Sequence, residues 1–186
     1  MTLLQVMPDD APGTVLLRTD DPEKIDAELR SSGARLERWP LAPAGEPDVL
    51  GAYRDWIEPL RRRGGYQLVD LVTMAPDEAD PDWPEKARAA RGKFLQEHIH
   101  DEDEVRFFVS GRGCFYLHVG NRVQAVVCEA GDLIAVPRGT RHWFDMGTSP
   151  GFTAVRFFQR EDGWVGDFTG SGIARLFPSL QELMTS

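Results

Sequence analysis

The sequence has few lysines, few cysteines and no long apolar run, and each scarcity excludes a class of protein. Three of its 186 residues are lysines, two are cysteines, and the formal net charge at pH 7 is −9. This acidic balance excludes nucleic acid and an anionic membrane surface as partners, because both repel a negatively charged protein. No apolar run is long enough to cross a bilayer. The first residues lack the basic and apolar regions of a signal peptide.

The two cysteines, Cys114 and Cys128, are expected to be free thiols in a cytoplasmic protein. They fall on predicted strands without CxxC spacing, and disulfides are rare in the reducing cytosol. We therefore expect neither cysteine to bind a metal. The proportions of charged (27%) and hydrophobic (41%) residues are those of a globular chain, and the length fits one domain.

Residues 1–90 mix predicted helices and strands. Asp21-Pro22-Glu23 combines an N-cap, a proline and an acidic first turn, which predicts the start of a helix, and Gly33 predicts its end. Apolar residues recur from Val49 to Leu60 at i, i+4, i+7, i+8 and i+11, which predicts one amphipathic helix. Further predictions are strands at Val15–Arg18, Leu36–Trp39 and Tyr66–Thr73, a loop over 75–84, and a helix over Pro84–Arg91.

From Lys93 onward, short β-rich runs alternate with glycine turns, a texture typical of an antiparallel barrel or sandwich. A tail of short helical or irregular segments follows over 162–186. These textures divide one domain into an α/β N-terminal annex (1–90), a barrel core (91–160) and a C-terminal covering segment (161–186). The predicted strands are Phe94–His98, Glu104–Ser110, Cys114–Val119, Val123–Cys128, Leu133–Pro137, His142–Asp145 and Phe152–Gln159.

Three of the four histidines belong to a pattern that predicts a metal site. His98, His100 and Glu104 have the same parity, so on an unbroken strand their side chains would share one face. His142 follows much later in the chain. Imidazole and carboxylate ligands suit divalent iron, nickel, manganese or zinc, and such a set leaves open positions for substrate or water. Because the imidazoles must be neutral to bind, metal should be lost in acid.

The intervals around these residues resemble the two signature motifs of the cupin superfamily. Met146 departs from the pattern, because many cupins have asparagine at that place. The resemblance implies a mainly β fold with flanking helices, built on a double-stranded β-helix or jelly-roll barrel. The motifs read Gly92-x5-His98-x-His100-x3-Glu104-x6-Gly111 and Gly131-x5-Pro137-x-Gly139-x2-His142.

A narrower resemblance, to the acireductone dioxygenase family, extends over about residues 85–165. It is carried by the runs 97–107, 136–147 and 155–158, by the Gly111-x-Gly113-x-Phe115 turn and by Trp164. The family implies one Fe²⁺ or Ni²⁺ per chain, with two adjacent coordination positions left for a chelating substrate. Its ligands correspond to His98, His100, Glu104 and His142.

The resemblance also implies the reaction. An acireductone of the 1,2-dihydroxy-3-keto-5-methylthiopentene type is cleaved by O₂, with the metal as Lewis acid and template. The iron form yields formate and 4-methylthio-2-oxobutanoate for methionine salvage. The nickel form yields formate, carbon monoxide and 3-methylthiopropanoate. The expected partners are this small molecule and O₂, and we expect a monomer.

Two arginines and one glutamate each have two possible roles near this site. Arg106 shares the parity of Glu104. It is expected either to bind the anionic substrate through its planar fork of donors or to pair with a carboxylate such as Glu97. Arg156 has the same two interpretations. Glu97 is a candidate for orienting a ligand imidazole, unless its opposite parity places it on the outer face.

The aromatic and acidic residues near the predicted site also have more than one possible role. Phe94, Phe144 and Trp164 form either an apolar wall around the methylthio tail or ordinary core. The run 101–103 is expected to be a solvated turn, with Asp103 as the candidate for relaying a substrate proton. His118 lies outside both motifs and is interpreted as a surface or core strand residue.

Two other functions are compatible with a metal-binding cupin. One is a different small-molecule enzyme, such as a sugar-phosphate isomerase or another dioxygenase. An isomerase acting on phosphates should direct extra lysines or arginines at its pocket. The chain has only three lysines, which weakens this alternative. The other is a non-catalytic ligand-binding cupin, which would need a partner domain such as a helix-turn-helix. No segment predicts such a domain.

Overall fold

The described residues, 1–77, 79–161 and 163–185 of this computed structural model, form twelve strands, five α-helices and a 3-10 helix. Glu78 of the predicted 75–84 loop, and Asp162 and Ser186 of the predicted covering segment, lie outside them. The helices are α1 (Pro22–Ser31), α2 (Val49–Ala52), α3 (Arg54–Gly64), α4 (Trp83–Phe94) and α5 (Leu180–Thr185), with the 3-10 helix at Ile173–Leu176. The strands are β1 (Leu3–Pro8), β2 (Leu17–Thr19), β3 (Arg35–Arg38), β4 (Leu68–Met74), β5 (His98–Ile99), β6 (Glu104–Ser110), β7 (Arg112–Val119), β8 (Arg122–Glu129), β9 (Asp132–Val136), β10 (Arg141–Asp145), β11 (Phe152–Phe158) and β12 (Asp167–Phe168).

The strands form two antiparallel sheets. One has seven strands in the order β12-β5-β10-β7-β8-β1-β2, and the other has five in the order β3-β9-β6-β11-β4. Strands from the first 74 residues therefore extend both sheets, so the sheets are continuous across the predicted boundary at residue 90. The mainly β fold expected of a cupin is confirmed.

Three apolar clusters hold the layers together. The central one draws on the inner faces of both sheets, with Leu4, Phe108 and Phe144 among its members. A second packs the outer face of the seven-stranded sheet against the C-terminal residues, including Phe177. The third packs α2, α3 and their flanks on the outer face of the five-stranded sheet, where Trp39, Tyr53, Ile57 and Leu60 are buried. Each sheet is thus covered on both faces, which explains its long buried runs.

Several sequence predictions are confirmed within one or two residues. Asp21 caps α1, because its side chain accepts a hydrogen bond from the Glu23 amide. The strand Glu104–Ser110 has its predicted bounds. The helix predicted from Val49 onward is instead two helices that break at Tyr53. The break buries the Tyr53 ring against Phe107, with centroids 4.8 Å apart, a tertiary contact that local periodicity does not encode.

The prediction of a strand over Phe94–His98 is wrong. Helix α4 continues through Phe94, and β5 contains only His98 and Ile99. The chain then turns, and Glu104 begins β6 in the other sheet. The turn is held by Glu102, whose buried carboxylate accepts hydrogen bonds from the amides of Gln159 and Arg160. The predicted solvated turn over 101–103 is therefore also wrong for Glu102, which is 3% exposed.

The β1 strand, Leu3–Pro8, was absent from the sequence predictions. It pairs with β8 along its whole length. Cys114 and Cys128 are free and buried in different apolar clusters, where burial raises the pKa of both thiols. Over the described residues, no helix combines the length and the apolar character needed to cross a membrane.

A buried carboxylate joins helix α4, strand β10 and helix α5. Asp145 accepts two hydrogen bonds from Arg91, at 2.7 and 3.0 Å. It also accepts one each from the amides of Gly147 and Leu180, at 2.8 and 3.0 Å. Burial alone would raise the pKa of Asp145, but these donors outweigh it and lower the pKa below 3.8. The carboxylate therefore stabilises the fold in its ionised form.

Asp145→Asn is expected to destabilise the protein by about 2–3 kcal/mol at pH 7. Breaking a buried ion pair costs about 3–5 kcal/mol, and Arg91 reduces that cost because its side chain is 22% exposed. The lowered pKa gives the wild type an advantage that is complete above pH 3.8 and is lost as the pH falls further. Urea unfolding at pH 7 and at low pH measures this difference. Asp80→Asn is the control, because it removes an exposed pair with Lys86 and should change little.

Candidate metal centre

Four buried side chains from the two sheets converge on one point. His98 and His142 face each other on β5 and β10 of the seven-stranded sheet. His100 directly follows β5, and Glu104 begins β6 of the five-stranded sheet. Their four ligand atoms all lie within 4.8 Å of one another. The predicted set is thus brought together by two sheets that meet, and the condition of an unbroken strand from His98 to Glu104 is not met.

Each of the three imidazoles is oriented by a backbone carbonyl. Since a carbonyl oxygen only accepts hydrogen bonds, Nδ1 of each ring carries the proton and donates it. Nε2 of each neutral ring then keeps its lone pair and can bind a metal. The carbonyls are those of Gln96 to His98 at 2.7 Å, of Val165 to His100 at 2.8 Å and of Thr140 to His142 at 2.8 Å.

The spacing of the donor atoms fits a bound cation. Glu104 Oε2 lies 3.0 Å from Nε2 of His142 and 3.1 Å from Nε2 of His100. Lone pairs at that separation repel unless a proton or a metal ion lies among them. Adjacent ligands of a metal with bonds of about 2.1 Å lie about 3.0 Å apart in an octahedron. The cluster therefore has the donor types and separations of a divalent transition-metal site.

The electrostatics of the cluster keep His98 neutral and Glu104 ionised near neutral pH. Burial and the neighbouring His142 lower the pKa of His98 to about 4, which keeps its ring neutral. Burial would also lower the pKa of His100, but the hydrogen bond and charge of Glu104 raise it. For Glu104, the charge of Arg106 and the bonds to His100 and His142 outweigh burial and hold the pKa well below its usual value. The carboxylate is therefore ionised and attracts a cation.

A cavity of about 610 Å³ opens onto the cluster. Arg106 lies at its inner wall, 4% exposed, and Nη2 donates to Glu104 Oε1 at 2.8 Å. The guanidinium carbon lies 4.6 Å from the ring centre of Phe144 and 5.3 Å from that of Trp164. Nε of Arg106 is buried and has no hydrogen-bond partner. An unsatisfied charged donor beside a cavity indicates a site for an anion.

Arg156 also lines this cavity, and its charge is already paired. It donates two hydrogen bonds to Asp70, at 2.8 and 2.7 Å, and Asp70 lines the cavity with it. The predicted contact with a carboxylate therefore forms. The partner, which the sequence did not indicate, is on β4.

The three predicted aromatics all line the cavity. Phe94 contacts Phe144 edge-on, with centroids 6.4 Å apart, and Phe144 also belongs to the central core. Trp164 stacks on His100 at 6.1 Å and packs against Phe158 at 4.4 Å. These rings give the cavity an apolar wall next to its cationic end.

Two acidic residues named as candidates have other partners in the structure. Glu97 does not contact a ligand imidazole, because all three Nδ1 atoms face backbone carbonyls. Its buried carboxylate binds His118 and Thr169 instead. Asp103 accepts a hydrogen bond from the Arg138 amide at 2.9 Å and is not among the described residues that line the cavity.

Sequence reasoning missed three features of the cavity. Asp70 is a charged residue within the apolar run of β4, which was the available signal for it. Lys93 lines the cavity from the last turn of α4, a position common for a solvated cation. Val165 contributes a backbone carbonyl, and a backbone group leaves no signal in the residue type.

Comparison with known proteins places these features in a family. A profile of the ARD/ARD′ family matches residues 60–166. The chain is 58% identical to acireductone dioxygenase 1 of Nocardia farcinica, over 99% of this chain and all of that protein. It is 52% identical to the acireductone dioxygenase of Saccharopolyspora erythraea over the full length of both.

A solved structure agrees with both sequence matches. It is that of acireductone dioxygenase from Bacillus anthracis with a cadmium ion in the active centre. That structure superposes with a TM-score of 0.73 at 26% identity, covering 90% of this chain and 98% of the other. On these matches the chain belongs to the ARD/ARD′ family, the acireductone dioxygenases, which are metal-dependent oxidoreductases of the cupin fold.

Proposed function

We propose that the protein cleaves an acireductone of the 1,2-dihydroxy-3-keto-5-methylthiopentene type with O₂. With Fe²⁺ the products would be formate and 4-methylthio-2-oxobutanoate, a step of methionine salvage. With Ni²⁺ they would be formate, carbon monoxide and 3-methylthiopropanoate. The observation that carries this proposal is the convergence of three Nε2 lone pairs and one carboxylate at the wall of a cavity lined by aromatic and charged side chains. The buried free cysteines support a reducing, cytoplasmic location, and a monomer stays a prediction.

One ion per chain would be held by His98, His100, Glu104 and His142. The cadmium ion in the active centre of the Bacillus anthracis relative supports a metal at this place. When bound, the ion supplies Lewis acidity and a template for two substrate oxygens. The carbonyls that fix the three rings keep Nε2 available and prevent the rings from rotating away.

Arg106 is proposed to bind an anionic oxygen of the substrate. Its guanidinium uses Nη2 for Glu104, and Nε is left without a partner. The faces of Phe144 and Trp164 fix the plane of the fork, so a planar enediolate can lie against it without reorganisation of the arginine. This arrangement supplies local positive charge in a protein whose net charge is −9.

The aromatic residues Phe94, Phe144 and Trp164 are proposed to enclose the methylthio end of the substrate. Sulfur makes favourable contacts with aromatic rings, and the rings exclude water from the reacting carbons. Arg156 is proposed as a further substrate contact, beside Arg106 on the neighbouring strand of the same sheet. Its bidentate pair with Asp70 removes most of its net charge, so we expect it to position the substrate more than to bind its anionic end. Asp103 as a proton relay stays a prediction.

Oxygen consumption by the metal-loaded protein tests this function. We expect protein loaded anaerobically with Fe²⁺ to consume the desthio acireductone and O₂ in equal amounts and to release formate. Protein loaded with Ni²⁺ should also release carbon monoxide. A fully metallated sample that takes up no oxygen would contradict the proposal. A metal content far below one ion per chain after reconstitution would favour a non-catalytic ligand-binding cupin.

A further inference from the structure

A second buried polar network lies beside the metal centre and does not use its ligands. Glu97 is 2% exposed and His118 is 7% exposed. Oε2 of Glu97 accepts a hydrogen bond from Nδ1 of His118 at 2.6 Å, and Nε2 of His118 faces Asp9 Oδ2 at 3.3 Å. Oε1 of Glu97 accepts from the Thr169 hydroxyl at 2.8 Å. Both oxygens of a buried carboxylate are thus satisfied, which fixes its position.

Thr169 links this network to the segment of residues 163–169, which covers the cavity. The Thr169 amide donates to the Glu97 carbonyl at 3.0 Å, in addition to the hydroxyl contact. Strand β12 pairs there with β5, Phe168 opposite His98, but that pairing is only two residues long. Gly163 and Gly170 flank the segment with φ of +73° at each. Glycine adopts this region of φ without strain, so the chain can turn at both ends of the segment, and the Thr169 contacts help to hold the path between them.

The tethered segment in turn holds a metal-centre imidazole. The Val165 carbonyl accepts from Nδ1 of His100 at 2.8 Å, and the neighbouring Trp164 ring stacks on His100. These two contacts set the tautomer and orientation of His100. A shift of the segment would withdraw the carbonyl and allow the His100 ring to rotate.

We infer that Thr169 and Glu97, supported by His118, are positioning residues for the metal centre. They hold the 163–169 segment against β5 and thereby keep the Val165 carbonyl on His100. This inference rests on the proposed metal site and assigns Glu97 a role through the segment, not through direct contact with a ligand imidazole. Outer contacts of metal ligands typically change metal affinity by about 10–100-fold, so the effect is measurable.

Thr169→Val is the sharpest test, because it removes the hydroxyl and keeps the amide and the branched shape. Wild type and variant are loaded with Ni²⁺, and release of the ion into excess EDTA is timed. We expect release to be about tenfold faster in Thr169→Val and close to the wild-type rate in Thr169→Ser, which restores a hydroxyl. Hydrogen exchange of residues 163–169 should increase in parallel. Thr73→Val is the matched control, because it removes an exposed hydroxyl contact with Thr153 that involves neither the 163–169 segment nor the Glu97 network.

Glu97→Gln provides a second variant with a larger expected effect, since it weakens the contact to His118 as well. If this change at a buried residue prevents folding, Thr169→Val still tests the inference, because Thr169 is exposed and its substitution should not prevent folding. Nickel release at the wild-type rate in Thr169→Val overturns the inference, whether or not hydrogen exchange rises. Failure of the wild-type protein to bind nickel would instead contradict the proposed function. In that case, unchanged hydrogen exchange of residues 163–169 in Thr169→Val would contradict the inference that Thr169 holds this segment in place.

Discussion

His98→Ala is expected to lower the metal content from about one ion per chain to nearly none. Apparent binding free energies at four-ligand protein sites are about 10–16 kcal/mol, so an average ligand contributes on the order of 3 kcal/mol. Its loss weakens affinity by roughly 10². The actual loss should be at least that large for His98, because burial and His142 lower its pKa to about 4 and leave it neutral and ready to bind. Oxygen consumption should fall with the metal.

Elemental analysis after dialysis against a weak chelator measures the metal content of His98→Ala. His118→Ala is the matched control, because it removes a buried histidine from the neighbouring strand β7 without removing a donor. With excess metal, His118→Ala should reach the wild-type stoichiometry even if it releases the ion faster. Full metal content in His98→Ala would remove this residue from the proposed ligand set.

Sequence reasoning selected the four residues of the candidate metal centre, although they do not lie along one unbroken strand. Parity along one strand selected His98, His100 and Glu104, but β5 ends at Ile99 and Glu104 belongs to the other sheet. The spacing motif nevertheless identified side chains that converge in the structure, because it includes the whole turn between the two strands. Residue spacing therefore predicted which side chains meet, and only the folded chain supplied the path that brings them together.

The remaining features depend on contacts between distant parts of the chain. The break between helices α2 and α3 occurs at Tyr53 because its ring packs on Phe107 of strand β6. The partner of Arg156 is 86 positions away at Asp70. The Val165 carbonyl on His100 is a backbone group with no residue-type signature. Strand bounds such as those of β6 were predictable because a run rich in valine and phenylalanine, ended by the glycine turn at Gly111, specifies them locally.

Arg106→Lys is expected to lower kcat/KM by about 10²–10³ while the metal content stays at the wild-type level. The guanidinium donates a hydrogen bond to Glu104 through Nη2, and its Nε is left to donate to a second acceptor. A lysine ammonium is a single point charge that lacks this fork, so it can satisfy Glu104 or the substrate but not both in the same geometry. Losing one charged contact in a buried site costs about 3–5 kcal/mol, which is the basis of the predicted factor.

Steady-state kinetics of the Fe²⁺-loaded Arg106→Lys variant, with metal content measured on the same sample, test this role. A fall in kcat with little change in KM would indicate that the contact strengthens as charge shifts during the reaction, and a rise in KM alone would indicate ground-state binding. Arg156→Lys is the control on the neighbouring strand β11, where Nε and Nη2 both already bind Asp70, and its effect should be smaller. If Arg106→Lys retained its metal and a kcat/KM within twofold of wild type, the guanidinium would have only the structural role of pairing with Glu104.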